Sequence, residues 1–275
     1  MIDRIWRGTG PTLSLDLRSV SLSLNVEQAN PGLELPEAHG TARLLALDGL
    51  AQAGRYDRMA FGPRTLVAWE LVRGRLAATY TPAGWGGLIV RAAWSPISGR
   101  DGVDLEIQAS ADSAAELKHV EVVVSSEWVK GDSGFSGALA SRVACRDARG
   151  AVQSDESRDP AAVLSSLTTP RLAAASATAL EPLVAAAPGA GRSVYYVEMV
   201  QPDDVARRII GIPADDRTTS QLVLSVHYGL LGHDIEKGVI LRARLRGQWI
   251  ESETPEDEAQ ALWRQFRDEP LPLGP

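Results

Sequence analysis

Along most of the chain, hydrophobic and polar residues alternate one for one, the period of a strand with one buried and one solvated face. Leu13, Leu15 and Leu17 share one side, and Val20, Leu22, Leu24 and Val26 resume the pattern after a change of phase at Arg18-Ser19. That shift predicts a bulge or a tight bend. Arg43–Leu47, Thr65–Val72 and Leu76–Tyr80 read as further strands, the last two joined through Arg73-Gly74 as a hairpin. Gly102–Ala109, with Val103, Leu105 and Ile107 inward, and Leu117–Val129 continue the series, as do Ala138–Cys145, Ser193–Val200, Gln221–Tyr228 and Lys237–Ile250.

The period changes only near the end. Thr254 suits an N-cap and Pro255 the first helical position, Glu256 to Glu258 complement a helix N-terminus, and Ala259, Leu262, Trp263 and Phe266 form an apolar stripe. Pro270 and Pro272 stop this helix, which is expected to cover an edge or an open end of the strands. Residues 149–192 are rich in Ala, Ser, Thr and Pro; Asp159-Pro160 predicts a short helix there, and Arg171–Ala187 fits either helix or loop. No repeat of fixed period is present. The expected fold is all-β: one large antiparallel β-sandwich over residues 1–275, with a short inserted helix in the 149–192 excursion and a C-terminal helix at 254–268.

Composition narrows the function more than the fold. The 275 residues are 44% hydrophobic and 23% charged, enough for a sizeable core. A net charge of −7 argues against broad binding to nucleic acid or to an anionic membrane. The single cysteine, Cys145, rules out an intrachain disulfide framework. The N-terminus MIDRIWRGTGPTL lacks the apolar region of a secretory signal and no window suits a membrane span, so a cytoplasmic location is expected.

Candidate chemistry concentrates in Ser225–Trp249, SVHYGLLGHDIEKGVILRARLRGQW. If its two strands pair as a hairpin, His227, His233, Asp234 and Glu236 converge at one rim. Three readings stand open: acid/base or ligand-binding chemistry, a divalent-metal site, and a hydrogen-bonded hairpin end. No HExxH-type spacing supports the metal, and neither a metal nor a cofactor is expected. Arg242, Arg244 and Arg246 share one strand face and call for cross-strand acids or an anionic ligand. His119 lies two residues from Glu121, as a possible acid/base pair or a solvated face. Glu198 stands mid-strand and needs a partner if it is buried. Trp85 and Trp94 are either sugar-stacking rings or core. Gly131-Asp132-Ser133-Gly134 reads as a turn, and no GxGxxG, GxxxxGK[ST] or GxSxG motif occurs.

More than ten alternating strands, aromatic strands around Trp85 to Trp94 and the late segment HDIEKGVIL resemble the galactose mutarotase-like supersandwich in layout. The resemblance implies carbohydrate binding on a concave sheet. In mutarotases a histidine and a late glutamate shuttle protons during ring opening, and Glu236 loosely matches that glutamate in position. On this reading His227, Glu236, Glu198 and His119 are candidate catalytic residues, with Trp85, Trp94, His233, Asp234 and Arg242 as ligand contacts. The rival expectation is a non-catalytic structural or protein-interaction sandwich. The sequence does not determine the oligomeric state.

Overall fold

The computed structural model describes residues 5–35, 41–113, 117–129, 182–187, 194–211 and 222–270. Two antiparallel sheets pack face to face. The eight-stranded sheet runs in the order β1 (Thr12–Asp16), β2 (Ser21–Asn25), β3 (Leu33–Glu34), β4 (Thr41–Gln52), β10 (Leu117–Val129), β14 (Leu222–Ile235) and β13 (Val205–Gly211), and β5 (Arg55–Asp57) pairs with β4. The seven-stranded sheet runs β11 (Leu183–Ala187), β12 (Val194–Val200), β15 (Ile240–Glu251), β9 (Gly102–Ala111), β8 (Leu88–Pro96), β7 (Arg75–Tyr80) and β6 (Leu66–Val72). The alternating leucines and valines of both sheets meet in one continuous core.

Local chemistry explains several joints. The phase change at Arg18-Ser19 is a tight bend between β1 and β2, where the Asp101 carboxylate accepts hydrogen bonds from the backbone of Arg18 and Ser19 at 2.7 and 2.8 Å. Arg73 and Gly74 both take positive φ, 53° and 76°, the two-residue turn that matches the twist of a hairpin. The C-terminal helix α1 (Pro255–Asp268) begins at Pro255 as expected. Ala259, Trp263 and Phe266 pack on Val184, Tyr195, Val197, Met199 and Ile250, so the helix lies on the outer face of the seven-stranded sheet where β11 forms its edge.

Two expectations need correction. Arg171–Ala187 contains neither helix nor loop at its C-terminal end: Leu183–Ala187 is strand β11, paired with β12. The strands flanking Glu236 form no hairpin, because β14 belongs to one sheet and β15 to the other. Leu231 and Gly232, at φ 75° and 61°, kink β14, which ends at Ile235 before the chain crosses over. The Asp159 helix, the 131–134 turn and the Ala138–Cys145 strand lie outside the described residues.

Candidate functional site

The polar residues expected at one rim are distributed over separate places. His119 and Asp234 do meet: His119 Nδ1 lies 3.5 Å from Asp234 Oδ1, which also accepts the His119 backbone N–H at 2.9 Å. This pair, with His233 and Glu236, is exposed where β14 leaves its sheet. His227 is not part of that group. His227 pairs opposite Ser125 in the middle of β14, whereas His233 pairs opposite Val120 beyond the kink. Glu198 faces the other way, buried between the sheets.

Trp85 and Trp94 are core residues rather than exposed platforms, at 1% and 0% accessibility. The Trp94 indole donates to the Leu45 carbonyl, and that of Trp85 donates to Asp57 beneath the Arg55 guanidinium. The arginine ladder found its acids. Arg246 makes two hydrogen bonds to Asp104, its cross-strand neighbour on β9, and two more to Glu269 beyond α1. Arg244 donates to the last carbonyls of α1 and stacks on Phe266, a cation placed where the helix dipole favours one. Arg242, half-buried, lies opposite Gln108 in the same ladder.

The outer face of the eight-stranded sheet assembles a cluster around His227. Asp48 Oδ2 lies 3.2 Å from His227 Nδ1 and accepts the Tyr56 hydroxyl at 2.7 Å. Asp48 is inaccessible and His227 only 4% accessible. Arg58 and Arg43 reach to 3.7 and 3.9 Å from the other Asp48 oxygen, and Arg43 also pairs with Glu127 at 2.9 Å. Burial alone would raise the Asp48 carboxyl, but His227, Tyr56 and Arg58 outweigh it and hold the group below its ordinary range. Burial and the neighbouring Asp48 charge push the Tyr56 hydroxyl above the usual tyrosine range, so it remains a donor.

Backbone irregularity aims these groups. The register of β4 against β10 slips twice, between Ser125 and Glu127 and again between Val123 and Val124, so β4 carries an extra residue at each place. Asp48 is the extra residue at the second slip, and Leu45, with φ 48°, lies at the first. A side chain on Gly49 would sit 2.5 Å from the Asp57 carbonyl, so the glycine lets β5 approach closely and lay Tyr56 over Asp48.

His227 and Asp48 are not on neighbouring strands; β10 runs between them. They meet across Ser125, which is opposite His227 in register and small enough to pass beneath the pair. The same device recurs nearby, where Glu121 on β10 and Arg207 on β13 pair at 2.6 Å across Gly229 of β14. A Cβ on Gly229 would collide with the Glu121 carboxylate. Among the described residues of this cluster, the buried Ser125 hydroxyl, Asp48 Oδ1 and His227 Nδ1 make no hydrogen bond of good geometry; Asp48 Oδ1 faces Arg58 and Arg43, and His227 Nδ1 faces Asp48 Oδ2 as a close contact. No three of His, Cys, Asp and Glu are grouped so as to hold a metal among the described residues.

Sequence reasoning missed Asp48, Tyr56, Arg58 and Ser125. Asp48-Gly49 resembles a turn, and the Arg43–Leu47 strand was expected to end before it. The usable signal was a lone carboxylate in the apolar run LLALDGLA, the same signal that singled out Glu198.

A scan against family models gave no match, and neither did a search of curated proteins. Among solved structures, a candidate aldose 1-epimerase from Escherichia coli K12 is similar over 88% of this chain and 99% of its own, at 9% identity and a TM-score of 0.46. The GalM/aldose epimerase homologue from C. elegans is similar over 90% and 100%, at 9% identity and a TM-score of 0.43. A heparan sulfate lyase from Pedobacter heparinus is similar over 91% of this chain but 37% of its own, at 8% identity and a TM-score of 0.41. The chemistry has to be read from the side chains of this chain. No helix among the described residues is long and apolar enough to cross a membrane.

Proposed function

We propose that the protein is carbohydrate-binding or carbohydrate-active, with its site on the outer face of the eight-stranded sheet and His227 as the proton-transfer residue. The carrying observation is the His227–Asp48 pair at 3.2 Å, backed by the Tyr56 hydroxyl. A carboxylate kept ionised beside an imidazole fixes the orientation of the ring and stabilises it when it takes a proton from a sugar hydroxyl. The partly exposed guanidinium groups of Arg43 and Arg58 beside Asp48 supply the hydrogen bonding that a polyhydroxylated ligand demands. His119, His233, Asp234 and Glu236 form a separate exposed group at the corner of the sheet and are secondary candidates for ligand contact.

The experiment is polarimetry on freshly dissolved α-D-glucose and α-D-galactose. The wild-type chain should speed the approach to anomeric equilibrium and His227→Gln should not. Equal rates with wild type, variant and buffer would remove the catalytic half of the proposal and leave binding to be tested alone.

A second reading has a specific observation behind it. The near-complete burial of Asp48 and His227 also suits a non-catalytic sandwich, in which the pair ties β4 to β14 across β10. There His227→Gln changes only stability.

A further inference from the structure

Behind the outer-face cluster, on the core side of the same strands, a second polar group is buried. Glu198 projects from β12 of the opposite sheet, and one of its oxygens accepts the hydroxyls of Ser126 at 2.5 Å and Tyr196 at 2.7 Å. Tyr228 donates to the same carboxyl group, and Arg208 contributes positive charge. Burial raises the Glu198 carboxyl, and the three hydroxyls and Arg208 only partly offset that.

The position of these donors in the chain matters more than their number. Ser126 directly follows Ser125, and Tyr228 directly follows His227. Along a strand, successive side chains point to opposite faces, so these two members of the inner group, Ser126 and Tyr228, are each the immediate neighbour of a member of the outer one. The Ser126 hydroxyl also accepts the Leu45 backbone N–H at 2.9 Å. Leu45 holds a positive φ at the first slip of β4, three residues before Asp48. A leucine in that conformation is strained and persists only where its surroundings fix it. Through Ser126 and Tyr228, one carboxyl group therefore grips β4, β10 and β14, the strands that carry Asp48, Ser125 and His227.

We propose that Glu198 is the positioning residue of the outer-face site, setting the Asp48–His227 separation from the far side of the sheet through Ser126 to Leu45 and through Tyr228. It is not a catalytic residue, since the sheet lies between it and any ligand of that site. The inference rests on the reading above only for the use made of the pair; the geometric claim stands or falls separately.

The test reads the His227 imidazole by NMR in the full chain, its signals assigned by their loss in His227→Gln. Glu198→Gln and Ser126→Ala should each shift the His227 ring resonances and weaken their response to Asp48→Asn. Tyr80→Phe is the control: it removes a buried hydroxyl donating to the Val26 carbonyl at 2.9 Å, remote from these three strands, and should leave His227 unmoved. If Glu198→Gln fails to fold, Tyr228→Phe, which removes a single hydroxyl, takes its place. Folded variants of Glu198 or Tyr228 together with Ser126→Ala whose His227 signals coincide with wild type would overturn the proposal. Polarimetry failing while His227 still shifts would leave it intact.

Discussion

Asp48 and Glu198 lie on opposite sides of one sheet, both buried, and their ionisation moves in opposite directions. Burial raises both carboxyls. Around Asp48, an imidazole, a tyrosine hydroxyl and a guanidinium win, and the carboxyl titrates below its ordinary value. Around Glu198 the contacts are three neutral hydroxyls, with the charge of Arg208 the smallest influence, and burial wins. Depth alone does not decide the charge state of a carboxyl; whether its neighbours carry charge does. The difference suits the two proposed roles, an ionised partner for a proton-transferring histidine on one face and an anchor on the other.

Removing the charged side should cost most. Asp48→Ala leaves His227 and the Tyr56 hydroxyl buried without their partner, and a loss of about 3–5 kcal/mol is expected in urea unfolding, the cost of breaking a buried pair. Tyr56→Phe removes one hydrogen bond to a carboxylate and should cost about 1.5–3 kcal/mol. Ser125→Leu puts bulk beneath the Asp48–His227 contact; about 1–3 kcal/mol of overpacking is expected, with displaced His227 NMR signals. A Ser125→Leu protein with wild-type His227 signals would show that the pair does not pass over this residue.

The smallest change is the most discriminating. Glu198→Gln keeps an acceptor for the surrounding hydroxyls and removes a charge that burial disfavours, so stability should change by less than about 1 kcal/mol. Its pH dependence carries the sign. Glu198 has a folded value above its ordinary 4.5, so it binds more protons folded than unfolded, and its contribution is greatest in acid and declines as pH rises through that value. Asp48 does the reverse: its contribution is complete above 3.8 and is lost as pH falls through its lowered folded value. Subtracting the stability–pH curve of Asp48→Asn from that of wild type should isolate an acid limb, and Glu198→Gln should isolate a decline toward neutral pH. Differences of the same sign would end the contrast.

Much of the architecture was legible because strand alternation repeats. Val103, Leu105 and Ile107 face inward as their spacing requires, Leu117–Val129 is one strand from end to end, and the α1 stripe is buried. What escaped was long-range. That β14 and β15 lie in different sheets is set by the distant strands each pairs with, and the positive φ of Leu231 within β14 has no warning in a leucine. The site escaped for a related reason. Asp48 faces outward only because β4 slips twice against β10, and it meets His227 only because the residue between them is Ser125. Registers and bulges belong to strand pairs, and a single segment does not announce them. Glu198 and His227 were both singled out as chemistry, but with no marker that a sheet separates them.

The central claim is that His227, held by Asp48, meets a sugar on the outer face of the eight-stranded sheet. It is tested most directly by following the His227 imidazole resonances while a panel of aldoses and oligosaccharides is titrated into the protein. The account predicts a saturable shift with at least one sugar in wild type, and none with that sugar in Asp48→Asn. His227 signals that stay fixed across the whole panel would contradict it and leave the pair as a tie between strands.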